Sequence, residues 1–240
     1  MRPGARGQVS QKQRATFDVW GERYQQAVDQ SIAFSHQSSD FFAEVKAELL
    51  LQMMQERLGD TRRLHVLDVG CGVGRIEHFL APACKSVHAV DVSPTMIDKA
   101  RESGCPAIFA CYDGRHLPYA NGSFDCTFAI CVLHHVAPSG WTMFLEEMRR
   151  VTRKGGMVVI FEHNPRNPLT RLAVDRCPFD KDAVLLAQRQ LVRFFAQLGL
   201  KEIERRYILF FPWRASIFRR LETHLAWLPL GAQYCVAGRP

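Results

Sequence analysis

Three features of this 240-residue sequence predict an α/β protein built on a doubly wound, mostly parallel seven-stranded sheet. Short apolar runs recur along the chain. The segments between them carry apolar residues at helical spacing. A glycine-rich turn, Gly70-Cys71-Gly72-Val73-Gly74, follows the first apolar run directly. Continuously apolar strands that alternate with helices belong in a parallel sheet covered on both faces.

The elements follow in order. Residues 1–14 are polar and basic and read as a flexible tail. Phe17, Trp20 and Tyr24 then recur at helical spacing, and Ser39-Asp40 offers an N-cap for a long helix. On that helix Phe41, Val45, Leu49 and Met53 form one stripe, and Gly59 is expected to stop it in the left-handed conformation. Residues 15–60 thus make an N-terminal helical cap. Leu64 to Val69 is the first strand, and a helix over Arg75 to Leu80 follows the glycine turn. Ser86 to Val92 is the second strand. Ser93-Pro94 opens the next helix, with proline where its missing N–H costs nothing. Ala107 to Cys111 and Phe124 to Val132 are the third and fourth strands. Trp141, Phe144, Leu145, Met148 and Val151 keep the 3.6-residue period, and Gly155-Gly156 turns into a fifth strand over Met157 to Phe161. Pro165, Pro168 and Pro178 interrupt a segment without clear periodicity, so 165–182 reads as a lid or substrate loop inserted after strand five. A helix over Leu191 to Leu198 ends at Gly199, and Tyr207 to Phe211 and Gln233 to Ala237 complete the sheet.

Composition narrows the classes. Hydrophobic residues make up 47% and charged residues 23%, which excludes wholesale disorder and a collagen-like chain. No apolar stretch is long enough to span a membrane, and the basic N-terminus lacks the apolar core of a secretory signal. The eight cysteines form no C-x-x-C pair. Reduced thiols and a cytoplasmic location are expected. The net charge of +7 favours anionic partners without choosing among substrate, membrane surface and nucleic acid.

The chemistry concentrates after the first strand. Asp68 precedes a turn whose glycines let the backbone bend sharply and approach a ligand, and the helix expected after it would present free N–H groups to a carboxylate. A nicotinamide fingerprint would need glycine at position 75, where the chain has Arg75. Asp91 ends the second strand, where a carboxylate can accept hydrogen bonds from two ribose hydroxyls. Asp113 follows the third strand and can meet an adenine amino group. Open α/β sheets bind ligands at these strand ends.

Taken together, Asp68 to Gly74, Asp91, Asp113 with Leu117-Pro118, Ser123-Phe124-Asp125 leading to His134-His135, Leu145 to Val151 and Lys154-Gly-Gly156 resemble a class I S-adenosylmethionine-dependent methyltransferase of the small-molecule, ubiquinone-biosynthesis-like group. The resemblance runs from about 62 to 163. It implies a Rossmann-like sheet over 61–240, S-adenosylmethionine as cofactor and S-adenosylhomocysteine as product. By the same resemblance Gly70, Cys71 and Gly72 line the methionine part, and Gly74 allows close helix packing. Asp91 holds the ribose, Val92 and Met96 flank the adenine, and Asp113 and Gly114 meet its edge. Ile130 and Cys131 lie beside the sulfonium, and Tyr24 matches a tyrosine of the family's N-terminal helices.

The expected function is methyl transfer to a small-molecule acceptor, lipid-like or anionic. The alternatives are a non-catalytic S-adenosylmethionine-binding module and a nucleic-acid or protein methyltransferase. No nucleic acid is expected, since the chain lacks an Asn-Pro-Pro-Tyr-type tetrapeptide after strand four. If the acceptor must lose a proton, His134, His135, Glu162 and His163 are the candidate bases; His134 and His135 can equally serve as a cap or a loop contact, while Glu162-His163 follow strand five at the site rim, where substrate contact is expected. Their spacing fits no standard metal motif, so no metal is expected. The arginines beyond 165 read as a solvated face or as capture of an anionic acceptor. The apolar and basic stretch from Phe210 to Leu230 can pack under the last strands or rest on a membrane.

Overall fold

The structure, a computed structural model, describes residues 18, 24–213 and 216–240. The expected tail, Phe17 and Trp20 lie outside the described residues. Seven strands form one sheet: β1 (His65–Val69), β2 (Ser86–Asp91), β3 (Ile108–Cys111), β4 (Phe124–Ile130), β5 (Thr152–His163), β6 (Lys201–Ile208) and β7 (Gln233–Arg239). Their order is β3-β2-β1-β4-β5-β7-β6, with β7 antiparallel to both neighbours and all other pairings parallel. The order reverses between β1 and β4, and that switch point places a crevice at the C-terminal ends of these two strands.

Eight helices are described: α1 (Tyr24–Ser31), α2 (Ser39–Leu58), α3 (Glu77–Leu80), α4 (Pro94–Glu102), α5 (Trp141–Val151), α6 (Pro168–Arg176), α7 (Gln188–Gln197) and α8 (Ser216–Leu225). Strand side chains alternate between faces, and the core divides accordingly. Val66, Phe128, Val159 and Phe161 pack with Phe41, Leu50, Met53 and Met54 of α2. On the other face Leu67, Val69, Val158 and Ile160 pack with Phe144, Leu145 and Met148 of α5 and Leu191 and Phe195 of α7. Each such side chain contributes about 1.5–3 kcal/mol on burial.

Several expectations are corrected. Ser38, not Ser39-Asp40, caps α2, its hydroxyl accepting from the Phe41 N–H, and Gly59 ends the helix at φ +90, ψ −148, outside the left-handed helical region. The helix after the glycine turn is one turn long and begins at Glu77 rather than Arg75. β5 starts five residues early and runs through Gly155-Gly156, where a side chain at Gly156 would meet the Asp125 carbonyl at 2.6 Å. The segment 165–182 is not structureless. Asn167-Pro168 opens α6, the Asn167 side-chain Oδ1 accepting from the Thr170 N–H. Finally, β6 is Lys201–Ile208, not 207–211. It is the sheet edge, and charged residues suit an edge strand that must resist further pairing.

Candidate functional site

A cavity of about 260 Å³ lies at the switch point. Its first end is built by the turn after β1. Gly70 and Cys71 both donate their N–H to the Val90 carbonyl, at 2.7 and 3.1 Å, which stitches the turn to β2. Gly70 has φ +91, and a Cβ there would lie 2.4 Å from Val132 Cγ2. Gly74, at φ +74, sits against Ala100 of α4 and Phe109 of β3, each 2.9 Å from where its Cβ would be. Gly72, by contrast, faces open space. Only glycine suits these positive-φ close approaches.

Asp91 is held firmly at the end of β2. Its Oδ2 accepts from the Gly72 N–H and its Oδ1 from the Ser93 N–H, both at 2.9 Å. Burial raises its pKa against those two hydrogen bonds. Asp68 is buried, and its Oδ1 has no hydrogen-bond partner. Burial and the neighbouring Glu77 carboxylate hold its pKa well above the usual range. Burial likewise lifts Glu77 to about 7. Desolvation pushes the Cys71 thiol up, so it is not a reactive thiolate. All eight cysteines are free.

At the middle of the cavity β4 ends in Ile130 and Cys131. Cys131 adopts φ +56, a strained conformation for a non-glycine residue. Its N–H donates to the Phe161 carbonyl at 2.9 Å, which pins the bend to β5.

The far end is a cluster of imidazoles and carboxylates. A short 3-10 turn, Leu133–His135, carries His134 and His135, and β5 ends in Glu162 and His163. His134 Nδ1 donates to Glu162 Oε2 at 2.7 Å, and Glu162 Oε1 accepts from the Leu133 N–H at 2.7 Å. Asp180 joins from beyond α6, its Oδ1 3.3 Å from His135 Nε2 and 3.7 Å from His134 Nε2. Burial opposes charge on His134, but Glu162 and Asp180 more than offset it and hold its pKa well above the usual value. Burial and the His134 charge lower His135 to about 3 and His163 to about 4. Burial works against the Asp180 carboxylate, but His134 beside it brings the pKa down to about 2.

The expected site residues therefore divide. Asp68, Gly70, Cys71, Gly72, Asp91, Val92, Met96, Ile130, Cys131, His134, His135 and His163 are brought to one cavity. Glu162 stands behind its wall. Asp113 turns back on its own loop, accepting from the Arg115 and His116 N–H groups at 2.7 Å, and neither it nor Gly114 lines the cavity. Tyr24 opens α1, and its side chain lies outside those described. Of the arginines beyond 165, Arg166, Arg171, Arg176, Arg189, Arg193, Arg205 and Arg220 are exposed and Arg206 pairs with Glu204. The Arg214, Arg219 side chains are outside those described.

Three contributors escaped sequence reading. Lys46 of α2 is buried and lines the cavity, its ammonium acting on both Asp68 and His163. No local pattern on α2 marks it as inward-facing. Tyr112, one residue before Asp113, lines the cavity in that acid's stead. Asp180 sits among prolines, with no local pattern to mark it.

Residues 66–156 match the family model described as "Methyltransferase domain". This chain carries a class I methyltransferase domain. Among curated relatives of the domain, methyltransferase GfsG of Streptomyces halstedii is 35% identical over 143 residues, covering 57% of this chain and 50% of that protein. The 2-methyl-6-phytyl-1,4-hydroquinone methyltransferase of Synechocystis is 32% identical over 106 residues, 42% of this chain and 33% of that protein. The chain thus spans half or less of these relatives' length. An S-adenosylmethionine-dependent methyltransferase of Thermotoga maritima superposes with a TM-score of 0.67 at 18% identity, covering 94% of this chain and 98% of that one, so the methyltransferase fold extends over nearly the whole chain. The family is S-adenosylmethionine-dependent, and two observations fit that cofactor: the open approach at Gly72 and the unpartnered buried oxygen of Asp68, ready for a cationic amino group.

Proposed function

We propose that this chain binds S-adenosylmethionine along Gly70–Gly72, Asp91, Val92 and Met96 and transfers its methyl group to a small-molecule acceptor held near His134, His135 and His163. The observation that carries this reading is one continuous cavity, lined by the glycine turn and Asp91 at one end and by the imidazoles at the other. The chemistry supplied by the bound cofactor is a methyl group already activated on a sulfonium. The protein's part is alignment and exclusion of water, which contributes on the order of 7–11 kcal/mol in favourable cases. Asp91, fixed by two backbone N–H groups, keeps lone pairs for ribose hydroxyls. His135 and His163 can accept a hydrogen bond from an acceptor hydroxyl or amine. Glu162, held by Leu133 and bonded to His134, acts as a positioning residue rather than a base in contact with the acceptor.

Lys46 favours an anionic acceptor: no carboxylate among the described residues pairs with it, and it stands between the two ends of the cavity. The relatives include a malonyl-[acyl-carrier protein] O-methyltransferase and a hydroquinone methyltransferase, which keeps acidic and lipid-like acceptors in view. Residues of α1 and of the 165–182 segment both line the cavity, which supports reading 15–60 as a cap and 165–182 as a lid over a domain of 61–240. Among the described residues no helix is long and apolar enough to cross a membrane.

Isothermal titration with S-adenosylhomocysteine, followed by a methyl-release assay across hydroxyl, amine and carboxylate acceptors, tests the proposal. Stoichiometric binding with turnover on one class supports it. Absence of binding refutes it, and binding without product from any acceptor returns the chain to a non-catalytic module.

A further inference from the structure

We propose that His134, His135 and Asp180 form a binding site for one divalent transition-metal cation at the acceptor end of the cavity. One ligand atom from each residue lies within 4.8 Å of the other two. Asp180 Oδ1 is 3.3 Å from His135 Nε2 and 3.7 Å from His134 Nε2. A tetrahedral cation with ligands at about 2.0–2.1 Å sets its ligand atoms about 3.3–3.4 Å apart. Two of the three edges, at 3.3 and 3.7 Å, are close to that length, and the third is no longer than 4.8 Å.

Two further observations point to a ligand. His134 Nε2 and Asp180 Oδ1 are buried and make no hydrogen bond, although a buried polar atom without a partner costs about 1–3 kcal/mol. The 3.7 Å between them is an ion-pair distance, too long for a hydrogen bond. In addition, Glu162 Oε2 accepts the proton of His134 Nδ1 at 2.7 Å, so a cation that displaces the other ring proton meets the lone pair at Nε2. A carboxylate behind a histidine, holding its tautomer and ring orientation, is the usual outer support of a metal-bound imidazole. Glu162 is itself anchored by the Leu133 N–H.

Two imidazoles and one carboxylate suit zinc, iron(II) or cobalt(II) rather than magnesium or calcium, which prefer all-oxygen shells. Three protein ligands leave at least one position open, and these residues line the cavity. An acceptor oxygen or nitrogen can coordinate there. The expectation of no metal rested on sequence spacing. Asp180 lies 45 residues beyond His135 and reaches the cluster only through the fold.

The test reads metal rather than turnover, so its outcome is independent of the proposed methyl transfer, which the S-adenosylhomocysteine titration reports separately. The full chain is stripped with a chelator and titrated with cobalt(II), followed by visible d–d absorption. The expected result is one equivalent bound with the intense bands of a low-coordinate site. His135→Ala and Asp180→Asn, checked for folding by circular dichroism, should each weaken binding at least tenfold. Replacing the exposed His36, His78 and His116 together by alanine should leave it unchanged. Should either variant fail to fold, X-ray absorption of the zinc-loaded wild type decides, with two imidazole nitrogens and a carboxylate oxygen at about 2.0–2.1 Å expected. No saturable one-to-one binding, loss of binding only in the surface-histidine variant, or a zinc shell without imidazole overturns the proposal.

Discussion

Gly70→Ala probes the physical basis of the cofactor turn. At φ +91 an alanine pays a left-handed penalty of about 1–2 kcal/mol. Its Cβ would also lie 2.4 and 2.9 Å from the two Cγ atoms of Val132, a contact that no real Cβ tolerates. Overpacking of that kind costs about 1–3 kcal/mol, giving a total near 2–5 kcal/mol. Val132 borders Cys131, so its displacement should also disturb the middle of the cavity. Val132→Ala removes both offending methyls and leaves only the Cβ, 3.3 Å away. In the double variant the overpacking disappears while the backbone penalty stays. Urea unfolding of the four proteins at one temperature gives the cycle, and titration with S-adenosylhomocysteine gives the functional counterpart. The expected coupling is about 1–3 kcal/mol in favour of the double variant, with partial recovery of cofactor affinity. Additivity within about 0.5 kcal/mol would refute the steric account.

Other outcomes follow from the same geometry. Asp91→Ala leaves the Gly72 and Ser93 N–H groups without acceptors, so it should cost about 2–3 kcal/mol of stability as well as at least tenfold in S-adenosylhomocysteine affinity; a loss of stability alone would remove Asp91 from the cofactor. Glu77, raised to about 7 in the fold from 4.5 in the unfolded chain, contributes stability that is full below about 4.5 and is lost as pH rises through about 7. Urea unfolding at about pH 5 and pH 8 should therefore show wild type losing up to about 3 kcal/mol that Glu77→Gln does not lose, and parallel pH dependences would contradict this. His163→Ala should lower turnover more than cofactor affinity, read by steady-state kinetics beside calorimetry; unchanged turnover would return His163 to a packing role. Trp213 and Trp227 are 53% and 76% exposed, so cosedimentation with anionic vesicles should fall when both are changed to serine, and equal sedimentation would exclude a membrane contact there.

What was legible in the sequence was local. Strand runs such as Val158–Phe161 are apolar at every position because both faces of a parallel sheet are covered, and the glycines at 70 and 74 mark a backbone that side chains would obstruct. Ser93-Pro94 announced α4 because capping depends on neighbouring residues alone. The misreadings fell where tertiary context outweighs local pattern. Lys201 to Ile208 alternates charge and is a strand only because it pairs with β7 at the sheet edge. Apart from these, Asp113 stands after β3 as expected, with its Oδ1 accepting from two N–H groups of its own turn.

The chain's own residue order thus determined the sheet, the turn at its switch point and the family they belong to, since periodicity, capping and glycine conformations act over a few residues. Only the folded arrangement decided the far side of the cavity. It carried Lys46 in from α2, Asp180 in from beyond α6 and Glu162 behind His134, because buried charges find partners, or stay unpaired, across distances in sequence that no local pattern records.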